Sequence, residues 1–439
     1  MIRLEVDPTP EVIIKLIDSH RVEKVTKLRK YYEAEHDILG RKIEAEKPNN
    51  KLVHSYPAYI VDEMSGYFLG IPVSYSSTND AFMERLQEVY DKNDEQDHNS
   101  TLANEMGIVG AGYEILYADE ESNARFGQIP KENVILVYNT SINPELRFGI
   151  YYYTIEDIVN DSTSTKVEVY TTDTIYYYDV TTDENGKKSI ELEDEVEHFW
   201  GDVPINEFKN NDHMTGDFEK VVTLIDAYDK AQSDTANDFE YFADAYLALV
   251  GMSGTQSSDI VQMKKDRVLL LEEKGEASWL VKTQEYLASQ EFKDRLKADI
   301  HKFAMVPDLT DEKFGQNLSG ISLQYKLWGM EQAVSNKERH FKKALQRRIE
   351  LLANFLAVRG SRYDYTEIDM QFNRNIPANL KEKAEVVQML LGVLSKKTLL
   401  GMLPNIDDPK KELEQIEEEN EGQVDLDTPI EGEEDDTEE

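Results

Sequence analysis

The sequence predicts an α+β protein, and three observations carry that prediction. Amphipathic runs recur at both ends of the chain, above all from Gly320 to Arg359, where no proline occurs. There Leu327, Val334, Phe341, Leu345, Ile349, Leu352 and Leu356 return every three, four or seven residues, the spacing of one helix face. Between Tyr113 and Leu192 the apolar period changes to two, as in Tyr113-Glu114-Ile115-Leu116-Tyr117, and Asn185-Gly186 marks a hairpin. Helices and an antiparallel sheet thus occupy separate blocks.

In chain order, Pro10 to Arg41 reads as a helix through Val12, Ile13, Leu16, Ile17, Val25 and Leu28, and Pro48-Asn49-Asn50 as a turn. Helices follow over Tyr56–Gly70, Phe82–Asn93 and Ser100–Gly110, with a strand start at Ile71–Tyr75. The sheet takes up Tyr113–Tyr117, Val134–Tyr138, Phe148–Thr154, Val167–Tyr170, Ile175–Val180 and Ser189–Leu192. Its many tyrosines are ordinary strand composition. A long helix is expected over Asp217–Val250, with Val221, Ile225, Tyr228, Phe239, Phe242, Tyr246 and Leu249 on one face and Asp226, Asp229, Asp234, Asp238 and Asp244 elsewhere. Gly251 to Ser258 breaks it, and Arg267–Glu272 with Ala277–Val281 form a small hairpin about Lys274-Gly275. The next helix sets Phe292, Leu296, Ile300 and Phe303 on one face until Pro307 excludes the helical conformation before it. Asp308 to Gly320 has loop composition. The proline-free run would then make a helix of roughly 60 Å, with Gly329 the expected bend. After Gly360, Tyr363–Phe372 alternates as a strand, and Leu380–Leu403 is helical up to Pro404.

Composition narrows the function. The 439 residues carry a formal net charge of −39, which argues against wholesale wrapping of nucleic acid. Much of the excess is local: Glu412 to Glu439 holds fifteen acids and no base and is expected to be disordered. The Gly320–Gly360 run departs the other way, with Lys326, Lys337, Arg339, Lys342, Lys343, Arg347, Arg348 and Arg359 against Glu331, Glu338 and Glu350. Such a helix presents either a solvated face or a surface for something anionic. Absence of cysteine excludes disulfides and thiolate metal sites. With no apolar signal core and no membrane-length apolar run, the chain is expected to be soluble and intracellular.

No phosphate loop, paired-His zinc helix or nucleophile elbow occurs. A calcium loop centred on Gly186 would need ligands at Thr181 and Leu192, which fail. The eight histidines are dispersed and read as structural. Neither a catalytic nor a metal-ligating constellation stands out, and no cofactor is implied.

Taken together, the residues resemble the portal proteins of tailed bacteriophages, in the branch common in siphophages of Gram-positive bacteria. The resemblance rests on Tyr32-Glu33-Ala34-Glu35-His36-Asp37-Ile38-Leu39, Pro48-Asn49-Asn50-Lys51-Leu52-Val53, the Ile60–Val73 stretch and Gly110-Ala111-Gly112-Tyr113-Glu114. It continues through Val203-Pro204-Ile205-Asn206-Glu207-Phe208 with Asn210-Asn211, Leu224-Ile225-Asp226-Ala227-Tyr228, Val306-Pro307-Asp308 and Ser319-Gly320-Ile321-Ser322-Leu323. Each piece is weak alone; their order over Tyr31 to about Glu414 is specific. Ser322 departs from the alanine frequent there.

The resemblance implies a portal fold: long stem and tunnel helices, a β-rich wing, a small α/β clip and a helical crown. It maps as wing 1–216, stem 217–250 and 286–305, clip 251–285, tunnel loop 306–319, tunnel helix 320–359 and crown 360–411, with 412–439 as the acidic tail. It also implies a ring, usually of twelve copies, at one capsid vertex of the virion, assembled in the host cytoplasm. Double-stranded DNA would pass through the ring during packaging and ejection. Terminase, a head-completion adaptor and capsid or scaffolding protein would be its other partners, with no membrane.

On that map the tunnel-loop candidates are Asp308, Asp311, Glu312, Lys313, Phe314 and Gln316. Lys264, Lys265, Arg267, Lys274 and Trp279 are candidate clip contacts. Lys326, Lys337, Lys342 and Lys343 are candidates to face DNA or a neighbouring subunit's acids. DNA carries one charge per about 1.7 Å, so a strongly basic bore would stall it. Two rival classes make different predictions. A nucleic-acid enzyme with acidic metal ligands would show metal-dependent turnover. A non-viral coiled-coil scaffold would form dimers or trimers, but Trp328 beside Leu327, and Gly329, break its heptads.

Overall fold

The computed structural model describes residues 2–424 apart from 45–46, 158–161, 183–187, 243–245, 251–255, 257, 260, 263–275, 281–285, 311–319, 359, 361, 376–379, 404–405 and 407–408. Its main helices are α1 (Pro10–Ser19), α2 (Glu23–Tyr32), α3 (Tyr56–Leu69), α4 (Asp80–Asp91), α5 (Glu95–Val109), α6 (Val222–Phe242), α7 (Tyr286–Ala304), α8 (Gly320–Ala357), α9 (Leu380–Leu390), α10 (Lys396–Leu400) and α11 (Pro409–Val424). The strands are β1 (Ile2–Arg3), β2 (Ser74–Ser77), β3 (Ala111–Ala118), β4 (Ala124–Ile129), β5 (Val134–Tyr138), β6 (Leu146–Asp157), β7 (Ser162–Tyr170), β8 (Thr174–Thr182), β9 (Lys188–Glu197), β10 (Ile205–Lys209), β11 (Tyr246–Val250), β12 (Glu276–Leu280) and β13 (Ile368–Gln371). Mixed helix and sheet agree with the α+β expectation.

One six-stranded sheet runs in the order β1-β5-β6-β7-β8-β9, antiparallel except for the β1–β5 pair. Period-two alternation lets β5 bury both faces. Ile135 and Val137 meet Ile13 and Leu16 of α1 over Phe148, Ile150, Val167 and Val169. Val134 and Leu136 point the other way, into Tyr113, Ile115, Val203 and Ile205, where the three-stranded sheet β10-β3-β4 closes the layer. The free edge, β9, carries exposed Glu191, Glu193, Asp194, Glu195 and Glu197. Its register against β8 slips between Tyr177 and Tyr178, which pair with Asp194 and Leu192, so Glu193 is a bulge.

The larger core lies between α2, α3, α5 and the long helix α8. Phe68, Phe82, Phe208 and Phe341 are fully buried in it, each contributing ~1.5–3 kcal/mol by leaving water. Phe341 of α8 stands edge-on to Phe68 at 5.4 Å. Ile300 and Ala304 of α7 join the same core as Val221 and Ile225, and α6 packs along α7. Helix α5 ends at Gly110, whose φ of +86° and closeness to the Met214 carbonyl leave no room for a Cβ.

Several boundaries correct the sequence reading. Pro10–Arg41 is two helices, α1 and α2, and a 3-10 turn at Asp37–Gly40. The break arises because α1 serves the sheet core and α2 the helical core. The Asp217–Val250 helix stops at Phe242, and Tyr246–Val250 is a strand paired antiparallel with Glu276–Leu280. A short apolar run fits either state, and its partner across the sheet decides. Arg267–Glu272, the expected hairpin partner, lies outside the described residues. Helix α8 continues through Gly329. The strand expected over Tyr363–Phe372 is confined to β13, which pairs with β2. Leu380–Leu403 is divided at Gly392, with φ +90°. Part of the expected disordered tail, 412–424, is helical in α11, with Pro409 at its start and Glu412 in its first turn. Both favour a helix N-terminus, and Leu413 and Ile416 are half-buried where α11 packs on α10. Residues 425–439 lie outside the described residues.

Candidate functional site

The long helix is the natural place to look for a partner surface, and its charges prove to be largely committed inside the chain. Arg348 has no solvent exposure. Its Nη2 donates to Glu114 Oε2 at 2.7 Å, its Nε to Glu114 Oε1 at 2.9 Å and its Nη1 to Asn99 Oδ1 at 2.8 Å. The guanidinium also lies 4.6 Å from the Phe126 ring centroid. Burial alone would raise the Glu114 pKa, but Arg348 and a hydrogen bond from His98 bring it down to about 2. Glu95, 3.6 Å from Arg348, goes the other way: burial raises it despite the guanidinium. One cation thus joins α8 to α5 and β3.

Lys337 repeats the pattern one face along. It is 2% exposed, and its Nζ lies 2.7 Å from Asp217 Oδ2. Asn210 and the Gly107 carbonyl hold Asp217 in turn. This corrects the expectation that Lys337 faces DNA or a neighbour: it ties α8 to the entry of α6. Arg347 donates to Asp202 at 2.9 Å and to the Val203 carbonyl. Arg374, after β13, grips Glu331 at 2.9 Å and Glu338 at 2.7 Å, while the Tyr67 hydroxyl donates to Glu331 at 2.7 Å. Lys342 is half-buried, with Nζ 3.4 Å from the Met370 carbonyl. Lys326 is half-buried, whereas Arg339 and Lys343 stand exposed.

A second construction fixes α6. The amides of Asn50, Leu52 and His54 donate to Asn237 Oδ1 at 2.6 Å, Ser233 Oγ at 2.9 Å and Asp229 Oδ1 at 2.9 Å. The geometry is one of matched rises. Two extended residues advance about 6.6 Å and four helical residues about 6 Å, so an extended segment running antiparallel to the helix keeps step with it. At its end Asp229 is fully buried between two imidazoles. His36 Nδ1 lies 2.6 Å from Asp229 Oδ2 and its Nε2 3.1 Å from the Tyr31 carbonyl. Both ring nitrogens face oxygen atoms, so the imidazole is held from both sides. Burial alone would raise the Asp229 pKa, but the donors from His36 and His54 hold it below the usual carboxylate range. Tyr31 stacks on His36 at 4.5 Å and donates to Asp226 at 2.7 Å.

Sequence reasoning missed this strap, although the signal was there: positions 226, 229, 233, 237 and 240 repeat at helical spacing on the flank of the face that carries Val221 and Ile225. Of the loop candidates, Asp308 is described. It accepts from Lys297 Nζ at 2.6 Å and from the Thr310 hydroxyl at 2.6 Å, which fixes the chain just past α7. Asp311, Glu312, Lys313, Phe314 and Gln316 lie outside the described residues, as do Lys264, Lys265, Arg267 and Lys274. Trp279 sits in β12 opposite Leu247.

Among the described residues no group of three or more His, Asp or Glu could hold a metal ion, and no helix is long and apolar enough to cross a membrane. Buried charge here joins elements, and the exposed features are helix faces and a sheet edge. Residues 13–425 match the family model described as phage portal protein, SPP1 Gp6-like. The chain belongs to this family of phage portal proteins, which are structural components of the virion. It is 27% identical over 442 residues to the portal protein of Bacillus phage SPP1, covering 94% of this chain and 87% of that protein. It is 25% identical over 421 residues to the portal protein of Clostridium phage phiCD119, covering 89% and 91%. Both relatives come from phages named for Gram-positive hosts, the branch that the sequence motifs resemble.

Proposed function

We propose that this chain forms the ring-shaped channel at one capsid vertex through which double-stranded DNA is packaged and ejected. Terminase docks on the ring during packaging, and a head-completion adaptor replaces it. The observation that carries the reading is the unbroken family match over residues 13–425. Its architecture supports it: α8 spans about 57 Å for its 38 residues and is locked to the sheet and to α5.

In this reading the sheets and N-terminal helices are the wing, α6 and α7 the stem, and β11 with β12 the base of the clip. Residues 306–319 form the tunnel loop, α8 the tunnel helix and 360–411 the crown. Among the described residues, Lys343 and Arg339 are then the exposed cations of the tunnel helix available to DNA or to a neighbouring subunit, while Lys337 and Arg348 serve the fold. A chain of net charge −39 makes a strongly acidic ring, which favours passage of DNA over retention.

Mass photometry of the purified protein across protein and salt concentrations, with negative-stain imaging, tests the reading. Closed rings of about a dozen copies with a central hole are expected. A stable dimer or trimer under every condition overturns it.

A further inference from the structure

The C-terminal end of the described fold leaves an apolar corner uncovered. Met389 is 78% exposed, Leu391 67% and Val393 75%, and their near neighbours in the chain, Val386 and Leu394, are exposed too. They gather where Gly392 turns the chain from α9 into α10. Scattered apolar residues on a surface are normal, but a contiguous set marks a contact. Its surroundings are polarised. Lys396 and Lys397 stand exposed at the start of α10, immediately after the apolar turn. Exposed Glu414, Glu417, Glu418 and Glu419 line α11, which packs on α10 with Leu413 and Ile416 half-buried.

Each chain therefore carries a cationic and apolar corner beside an anionic helix. A two-fold contact would pair corner with helix twice and stop at a dimer. A head-to-tail contact leaves one corner and one helix unused at each step and closes a ring when its rotation closes, which is the arrangement the ring reading requires. We infer that the α9–α10 corner of one copy receives the acidic face of α11 of the next copy. Apolar burial supplies the adhesion and the opposite charges fix which surfaces pair. This contact rests on the ring reading and specifies one of the surfaces that would close the ring.

The cysteine-free sequence makes the test clean. The full-length variant M389C/E418C is isolated as rings and treated with a short bis-maleimide linker. A denaturing ladder of covalent dimers and higher multimers is expected, with no ladder beyond the linked dimer from either single-cysteine control. Adding K396E and K397E should cut the ladder several-fold, and adding E414K and E417K to those should restore it. If M389C/E418C does not assemble, V393C/E414C decides in its place. A faster-migrating closed monomer overturns the inference, because α11 then covers the corner of its own chain. Rings without a ladder overturn this contact while the ring reading stands. A parent chain that never forms rings sinks both.

Discussion

Arg348 looks like one more solvated cation on a basic helix, yet the fold encloses it completely. Replacing it with methionine strands Glu114 and Glu95 in the core, and breaking a buried pair costs about 3–5 kcal/mol. Urea unfolding of Arg348→Met should show that loss, and Glu114→Gln added to it should recover part; an unchanged midpoint would refute the network. Lysine keeps the charge but loses the two-pronged geometry, so Arg348→Lys should fall between. The pH dependence follows from the same residues. The folded pKa of Glu114, about 2, lies below its ordinary 4.5. Its contribution is therefore complete above about 4.5 and is lost as the pH falls towards 2. Asp229 and Glu331 are lowered too and act in the same sense. Glu95 is raised, so its protonation partly offsets the loss. The net expectation is a urea midpoint that declines as the pH is taken from about 5 to about 2.5; a flat profile would show that these carboxylates are not coupled to folding. None of this was legible in the sequence, because a letter R on a helix does not say which element folds over it.

At the scale of elements, the strap along α6 separates two kinds of interaction. Asp229→Ala removes the partner shared by the two imidazoles and the His54 amide and leaves buried polar groups unpaired, at about 1–3 kcal/mol for each. Ser233→Ala removes one neutral acceptor from the Leu52 amide, at about 1 kcal/mol. Hydrogen exchange should show the amides of Asn50, Leu52 and His54 opening together in the first variant and Leu52 alone in the second. Equal protection in both would mean that the segment is held by packing instead. The sheet and the apolar face of α8 were readable beforehand because period and burial coincide there, as at Val134–Val137 and at Phe341, Leu345, Ile349 and Leu352. The end of α6 was not, since Tyr246–Val250 suits helix or strand until its partner is known. Nor was the α1–α2 break, which exists only because two cores claim the two halves.

For the whole molecule, the lysines of α8 divide into structural and available groups. Lys337→Gln should lower the unfolding midpoint by breaking the pair with Asp217 while leaving DNA passage in the surviving fold unaltered. Lys343→Gln should leave stability within about 0.5 kcal/mol, as for an exposed site, and change packaging yield or ring assembly. If Lys343→Gln is silent in both assays, the helix has no anionic partner at that position. Deleting Glu312–Gln316 should leave rings intact and impair packaging; normal packaging would overturn the part proposed for the tunnel loop in it. The family was legible from ordered motifs such as Gly110-Ala111-Gly112, whose first glycine caps α5 at a positive φ. The division of labour among the cations required the fold.

The acid-laden strand β9 bears on how such subunits can be crowded together. An unpaired strand offers its backbone to any other strand, and copies held side by side meet at high effective concentration. The opposite edge of this sheet closes with only the two residues of β1, while β9 presents glutamates and a bulge at Glu193. Edge-to-edge growth would set carboxylate against carboxylate across a broken hydrogen-bond ladder. The sheet is thereby insulated from open-ended fibre growth, and association is left to surfaces whose geometry comes to a finite end.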